Sequence, residues 1–336
     1  SSASSFLKII QFKNTHKNFI TFHRNGLLTV FKSQTELKYA VTQEILPKHC
    51  SSQVITLAQN PISDKELFLV YSEIGPVLYD VDKEKIVNSC FNFPVTVTAI
   101  DCSENYYAVG TTNGCIVIFK FGTFDLSTVH RYQVCNSSIE FVGISQPINK
   151  IFFKSHDSIG EIRLDSRKVI IYNSRALPPK RCISTSLGAF IVQRDTHILG
   201  IYINGKEMPA LLPSDIIDIA VKDAVSGPSS GELGVLLASK EIIFIRYNET
   251  DGVKILSSKF SIKAPVSPIA LCFSDKQLLL AFDSGNILIH DFETKKTKNA
   301  SATVNNVKTM RICGEAIFGL CGSGNTLFWS NGEDFK

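Results

Sequence analysis

The chain has 336 residues, 44% hydrophobic and 20% charged, with 35 basic against 31 acidic side chains and a net charge of +4. This balance excludes a chain too polar to build a core and a strongly basic nucleic-acid binder, while leaving room for a local basic patch. No apolar run approaches the ~20 residues a helix needs to cross a bilayer, so membrane insertion is not expected.

The opening Ser1-Ser2-Ala3-Ser4-Ser5 has no basic-then-apolar secretory pattern and reads as a linker or a cut edge. Residues 1–336 are read as one domain, and a longer parent protein is left open.

From there the pattern is β. The first strand candidate is 6–10, followed by a hairpin of 19–22 and 27–31 around Asn25-Gly26. A second hairpin joins 67–71 to 77–81 at Gly75. The clearest unit runs 95–101, 106–110, a turn at Asn113-Gly114, then 115–119. Weaker copies fill 138–174, 181–212 and 215–262. The stretch from Ser214 to Val221 has residues that could cap a helix, but its Ile and Val content and its alternation fit a strand. Residues 224–232, rich in Ser, Gly and Pro, read as a surface loop. A further unit runs 268–273, 278–282, a turn at 284–286, then 287–292. The last joins Met310 through 316–320 to 327–329. Gly and Asn in the tight turns are read as the two-residue hairpin type that needs positive φ.

The spacing of these units, roughly 40 residues, is that of four-stranded blades repeated around an axis. With a Gly in the turn and an aromatic or acidic residue closing the third strand, they resemble divergent WD40-like repeats over the whole chain. Tyr79-Asp80, Phe119-Lys120, His290-Asp291 and Trp329-Ser330 stand where a Trp-Asp pair would close a standard repeat, and no Gly-His pair precedes a blade. The resemblance implies an all-β, closed propeller. Eight hairpin units can be marked, but seven blades is favoured from the habit of the family, with eight as the alternative. The stretch 138–212 looks short for two blades. In the usual closure that the resemblance implies, the N-terminus supplies the strand that the last unit lacks, and 6–10 is the candidate for it.

Nine cysteines, an odd number without C-x-x-C spacing, suggest neither disulfides nor zinc. Several lie in apolar strand patterns, such as Cys102 and Cys272, and read as small core residues in a reducing compartment. Three N-x-S/T matches, at Asn136, Asn248 and Asn299, carry no weight without a secretory signal. The seven histidines are scattered, without a ligand spacing, and no nucleophile elbow or phosphate loop is present. No cofactor, no metal and no enzymatic activity are therefore expected.

Candidate sites are surface features. Phe91 and Phe93, Leu177, and the basic pair Lys180-Arg181 lie between strand units, where blade packing does not require them. They are read as partner-binding, though Phe91 also suits a fourth-strand core position. Lys295, Lys296, Lys298, Lys308 and Arg311 form the densest basic stretch and are the phosphate-binding candidates, weighed against ordinary solvated lysines. The Phe-Arg-Arg-Gly motif of phosphoinositide-binding propellers is missing. The expectation is a non-enzymatic, intracellular, eukaryotic-type scaffold, cytoplasmic or nuclear. It would be a subunit of a multiprotein complex with protein subunits or peptides as partners. The alternatives are a nucleic-acid-associated propeller in RNA processing or ribosome assembly, and the N-terminal propeller of a membrane-traffic tether.

Overall fold

A computed structural model of the chain describes residues 6–11, 18–23, 26–35, 38–45, 54–60, 63, 65–71, 75–89, 95–103, 105–120, 130–145, 149–172, 180–185, 188–223, 230–261, 268–274, 276–301, 307–313, 316–321 and 326–330. They form eight antiparallel sheets in chain order, seven four-stranded and one three-stranded. Sheet 1 comprises β1 (Phe6–Gln11), β2 (Asn18–His23), β3 (Leu28–Thr35) and β4 (Lys38–Ile45). Sheet 2 comprises β5 (Val54–Gln59), β6 (Glu66–Tyr71), β7 (Gly75–Asp80) and β8 (Lys85–Ser89). In sheet 3 the strands are β9 (Val97–Cys102), β10 (Tyr106–Thr111), β11 (Cys115–Lys120) and β12 (His130–Gln133). In sheet 4 they are β13 (Ile139–Ser145), β14 (Lys150–Ser155), β15 (Ile159–Arg163) and β16 (Lys168–Tyr172). Sheet 5 holds β17 (Arg181–Ser184), β18 (Phe190–Gln193), β19 (Ile198–Ile203) and β20 (Lys206–Leu211). Sheet 6 holds β21 (Ile216–Asp223), β22 (Gly231–Leu237), β23 (Glu241–Asn248) and β24 (Gly252–Ser261). Sheet 7 is β25 (Pro268–Phe273), β26 (Gln277–Phe282), β27 (Asn286–Asp291) and β28 (Thr297–Ser301); sheet 8 is β29 (Val307–Cys313), β30 (Ala316–Cys321) and β31 (Thr326–Ser330). Among the described residues there is no helix, and hence none long and apolar enough to cross a membrane.

The eight sheets correspond to the eight hairpin units of the sequence rather than to the count of seven. The stretch 138–212 holds two complete sheets, made compact by strands of four to seven residues. The expectation for the N-terminus is corrected: β1 pairs with β2 in the first sheet and is not the fourth strand of the last. Of the expected loop 224–232, Gly231 and Glu232 already belong to β22, while 224–229 lie outside the described residues.

From sheet 1 to sheet 7, neighbouring sheets pack broad face on broad face, which explains the composition of their strands. A separate apolar cluster lies between each successive pair from sheets 1 and 2 to sheets 6 and 7. The second and third strands are therefore covered on both faces and read as near-continuous apolar runs, such as 67–70 in β6 and 278–281 in β26, all buried. Fourth strands lie at the outer edge of their sheets, and β12 is largely exposed there. The first strands of most neighbouring sheets lie side by side.

Turn geometry refines one expectation. At Asn113-Gly114 the Gly114 N–H donates to the Thr111 carbonyl at 3.2 Å, and Gly114 alone is left-handed, with φ of 78°. This is a three-residue turn with a left-handed last position, not the two-residue type. Gly285 repeats it, and Lys240 takes the same place at φ 64°. The two-residue turn with both φ positive occurs instead at Asn204-Gly205, between β19 and β20.

The acidic residues that close third strands have a local task. Asp80 accepts the Lys83 N–H at 2.9 Å and its ammonium at 3.1 Å, and Asp291 accepts Thr294 N–H at 2.7 Å. Each carboxylate caps the turn to the fourth strand. Burial alone would raise the Asp80 carboxyl, but the Lys83 hydrogen bonds and charge outweigh it and hold it below its ordinary 3.8. A depressed carboxyl stabilises the fold fully above its unfolded value and loses that contribution as pH falls through the folded one. The urea midpoint is expected to drop as the pH is lowered below about 4, and Asp80→Asn should flatten that drop.

Candidate interaction face

A single irregularity recurs where first strands begin. In β1, β5, β9, β13, β21, β25 and β29 the register slips by one residue, leaving Leu7, Ile55, Thr98, Glu140, Ile217, Ile269 and Lys308 as bulges. Only β17 pairs through without a shift among the eight first strands. A bulge re-aims the extra residue out of the ladder. In β5, β9 and β13 the residues on either side keep facing the preceding sheet, so buried positions fall three apart: Val54 and Leu57, Val97 and Ile100, Ile139 and Val142.

The bulges share one face of the molecule with the described turns between second and third strands and with the described connectors 134–138 and 212–215. Backbone hydrogen bonds tie these pieces together, as in Thr112 N–H to Thr96 O at 3.0 Å, Ala238 N–H to Asp215 O at 2.8 Å and Ile216 N–H to Thr196 O at 2.6 Å. The opposite face carries the first-to-second and third-to-fourth turns. Ile55 and Ile217 are each 38% exposed on the bulge face, and Ile269 is half-buried. Among the described residues, the other large exposed apolar side chains, Val87, Ile171, Leu211 and Ile255, all lie on fourth strands.

First strands are sheet edges, whose free N–H and C=O groups need partners. Side chains of the preceding sheet supply them. Asp101 accepts the Ile144 N–H at 2.7 Å, Asp218 accepts the Leu271 N–H at 2.9 Å, and the Thr98 hydroxyl donates to the Ile139 carbonyl at 2.6 Å. Burial pushes the Asp218 carboxyl above its ordinary range, against the pull of the Leu271 N–H and of Arg181, whose guanidinium lies 2.8 Å away.

The sequence candidates are therefore dispersed. Arg181, at the start of β17, is held in the link between the first strands of sheets 5 and 6. Lys180 is exposed on the bulge face, 3.9 Å from Asp195. Phe91, Phe93 and Leu177 lie outside the described residues. The basic stretch is split: Lys295 and Lys296 are exposed in the third-to-fourth turn on the opposite face, and Lys298 is exposed on the outer strand β28. Lys308 is the bulge of the inner strand β29, and Arg311 follows on that strand. Sequence reading missed Ile217 and Ile269 as surface residues because each stands beside a core position in an apolar run.

Of the described cysteines, Cys115 and Cys272 are buried, and Cys102, Cys135 and Cys182 are half-buried and pack against the apolar clusters. None of these five is joined in a disulfide, and burial pushes the Cys182 thiol up to about 12, against the opposing charge of Lys154. Asp157, in the second-to-third turn of sheet 4, accepts the Ser137 hydroxyl and, at 2.8 Å, that of Ser155, which hold its carboxyl below the ordinary range.

In three dimensions the chain is similar to several solved structures. The computationally designed Ika8 protein has a TM-score of 0.69 at 12% identity, covering 98% of this chain and 97% of that one. Sqt1 of Saccharomyces cerevisiae has 0.66 at 13%, and the C-terminal WD40 domain of Sif2 has 0.67 at 11%, each over the same shares of the two chains. The chain has the WD40 β-propeller fold. Its sequence matches no protein-family model and no curated protein.

Proposed function

We propose that this propeller is a non-enzymatic scaffold, a subunit of an intracellular multiprotein complex, which docks protein partners on its bulge face. The observation that carries the reading is the bulge row, which turns Ile55 and Ile217 outward on the face where turns and connectors converge. A half-exposed isoleucine gains nothing from water, and a rigid blade edge presents it without ordering cost, as docking surfaces do. The lysine candidates favour nucleic acid less, because they divide between an outer edge, one face and an inner strand instead of forming one phosphate track.

Affinity purification of the full-length protein from its own cells, with and without nuclease, tests this. The variant Ile55→Asp/Ile217→Asp should lose its stoichiometric partners at least ten-fold, nuclease or not. The outer-strand control Ile171→Asp/Leu211→Asp should retain them. Partners lost on nuclease treatment, or lost from the control but not from the bulge variant, would overturn the reading.

A further inference from the structure

At sheets 6 and 7 the bulge face carries three carboxylates, in a chain whose net charge is +4. On sheets 6 and 7, adjacent through β21 and β25, the bulge residues Ile217 and Ile269 stand on neighbouring first strands. Asp215 lies two residues before Ile217 and is exposed. Asp283 is exposed in the turn one position past Phe282, the residue paired with Pro268. Glu241, at the start of β23, follows the second-to-third turn of sheet 6 and is half-buried. None of these three carboxylates has an ion pair among the described residues.

Nearby cations are mostly committed. Arg181 pairs with Asp218 at 2.8 Å, Lys180 lies 3.9 Å from Asp195, and Arg194 pairs with Glu207 at 2.5 Å. Lys240, in the turn before Glu241, and Lys308, the bulge of the adjoining strand β29, are further cations of this region among the described residues. An apolar centre rimmed by uncompensated carboxylates selects a partner of matching pattern.

Resting on the scaffold reading, we infer that the patch of Ile217 and Ile269 docks a segment of another protein in which an aliphatic residue is flanked by lysines or arginines. The aliphatic side chain would sit between the two isoleucines, and the cations would face Asp215, Glu241 and Asp283. A phosphate backbone would meet those carboxylates and be repelled.

Selection of a displayed library of random 12-residue peptides on the full chain tests the inference, followed by binding measurements on the enriched sequences as synthetic peptides. Enrichment of Leu, Ile or Val next to Lys or Arg is expected. Binding should weaken at least ten-fold on Ile217→Asp, several-fold on Asp215→Asn/Asp283→Asn, and several-fold between 50 and 300 mM salt, given a Debye length of about 10 Å at 0.1 M. Uncharged or acidic peptides that still need Ile217 would overturn the basic partner while leaving the scaffold reading standing. Peptides indifferent to Ile217 and Ile269 would overturn both the partner and the patch. Failure of any sequence to enrich would equally count against the inference. Thermal unfolding of each variant, unchanged from the native chain, separates lost docking from lost folding.

Discussion

Replacing Glu161 by alanine is expected to cost about 3–5 kcal/mol of unfolding free energy, the penalty for orphaning a buried charge. Glu161 lies on β15 with no exposed surface. Its carboxylate accepts the Arg163 Nε–H at 2.7 Å and the Tyr172 hydroxyl at 2.6 Å, with the Lys150 ammonium at 3.3 Å. Lys150 is itself 5% exposed, and its ammonium reaches Asn204 Oδ1 in the next sheet at 2.9 Å. Removal of Glu161 strands that ammonium in a medium where an unpaired charge is expensive, whereas Arg163, a third exposed, can turn to water. The same carboxylate, with burial as the larger cause, drives the Tyr172 hydroxyl far above the usual phenol range. Lys150→Met with Glu161→Leu should recover most of the loss, since a buried pair exchanged for apolar groups is often neutral. Urea unfolding of the single and double variants checks both statements, and a Glu161→Ala loss under ~1 kcal/mol would contradict the buried pairing.

Tyr107→Ala should be comparably severe, at about 3–5 kcal/mol, because it removes a large aromatic and leaves a cavity. The Tyr107 ring is fully buried between sheets 2 and 3, stacked at 4.6 Å on Phe119 of its own sheet and at 4.6 Å on Phe68 of the preceding one. It therefore joins two blades as well as filling one. Tyr107→Phe keeps the stack and should cost less than ~1.5 kcal/mol. Near-equal losses for the two substitutions, measured by the same unfolding assay, would mean that the hydroxyl and not the stack holds the site.

The blade repeat was legible because each unit repeats a physical necessity. A hairpin buried on both faces needs continuous apolar runs, and its turn needs a residue that tolerates positive φ, so 106–110, Gly114 and 115–119 mark a blade without any Trp-Asp pair. The number of sheets was less legible, since family habit outweighed the eight units that the residues themselves mark. The fate of β1 was hidden for another reason: a strand's partner is set by non-local pairing, and 6–11 is equally strand-like in either sheet.

The site was the least legible. Lys295, Lys296 and Lys308 are neighbours in sequence, but the chain crosses from an outer strand to an inner one between them. Arg181 reads as a free surface cation until Asp218, 37 residues later, is brought beside it. The bulges did leave a trace. Apolar residues at i and i+3 in a strand contradict strict alternation, as Val54 with Leu57 and Ile216 with Ile219 do, and the residue between them that escapes the core is the one presented to solvent.

The most direct test of the docking face is amide hydrogen exchange of the full chain, alone and with a partner recovered by purification. Slowed exchange is predicted at 215–218, 238–241, 268–270 and 283–286, where bulges and second-to-third turns meet. Slowing confined to the outer strand β16 or β20, or to the opposite-face turns at 164–167 and 292–296, would contradict the account.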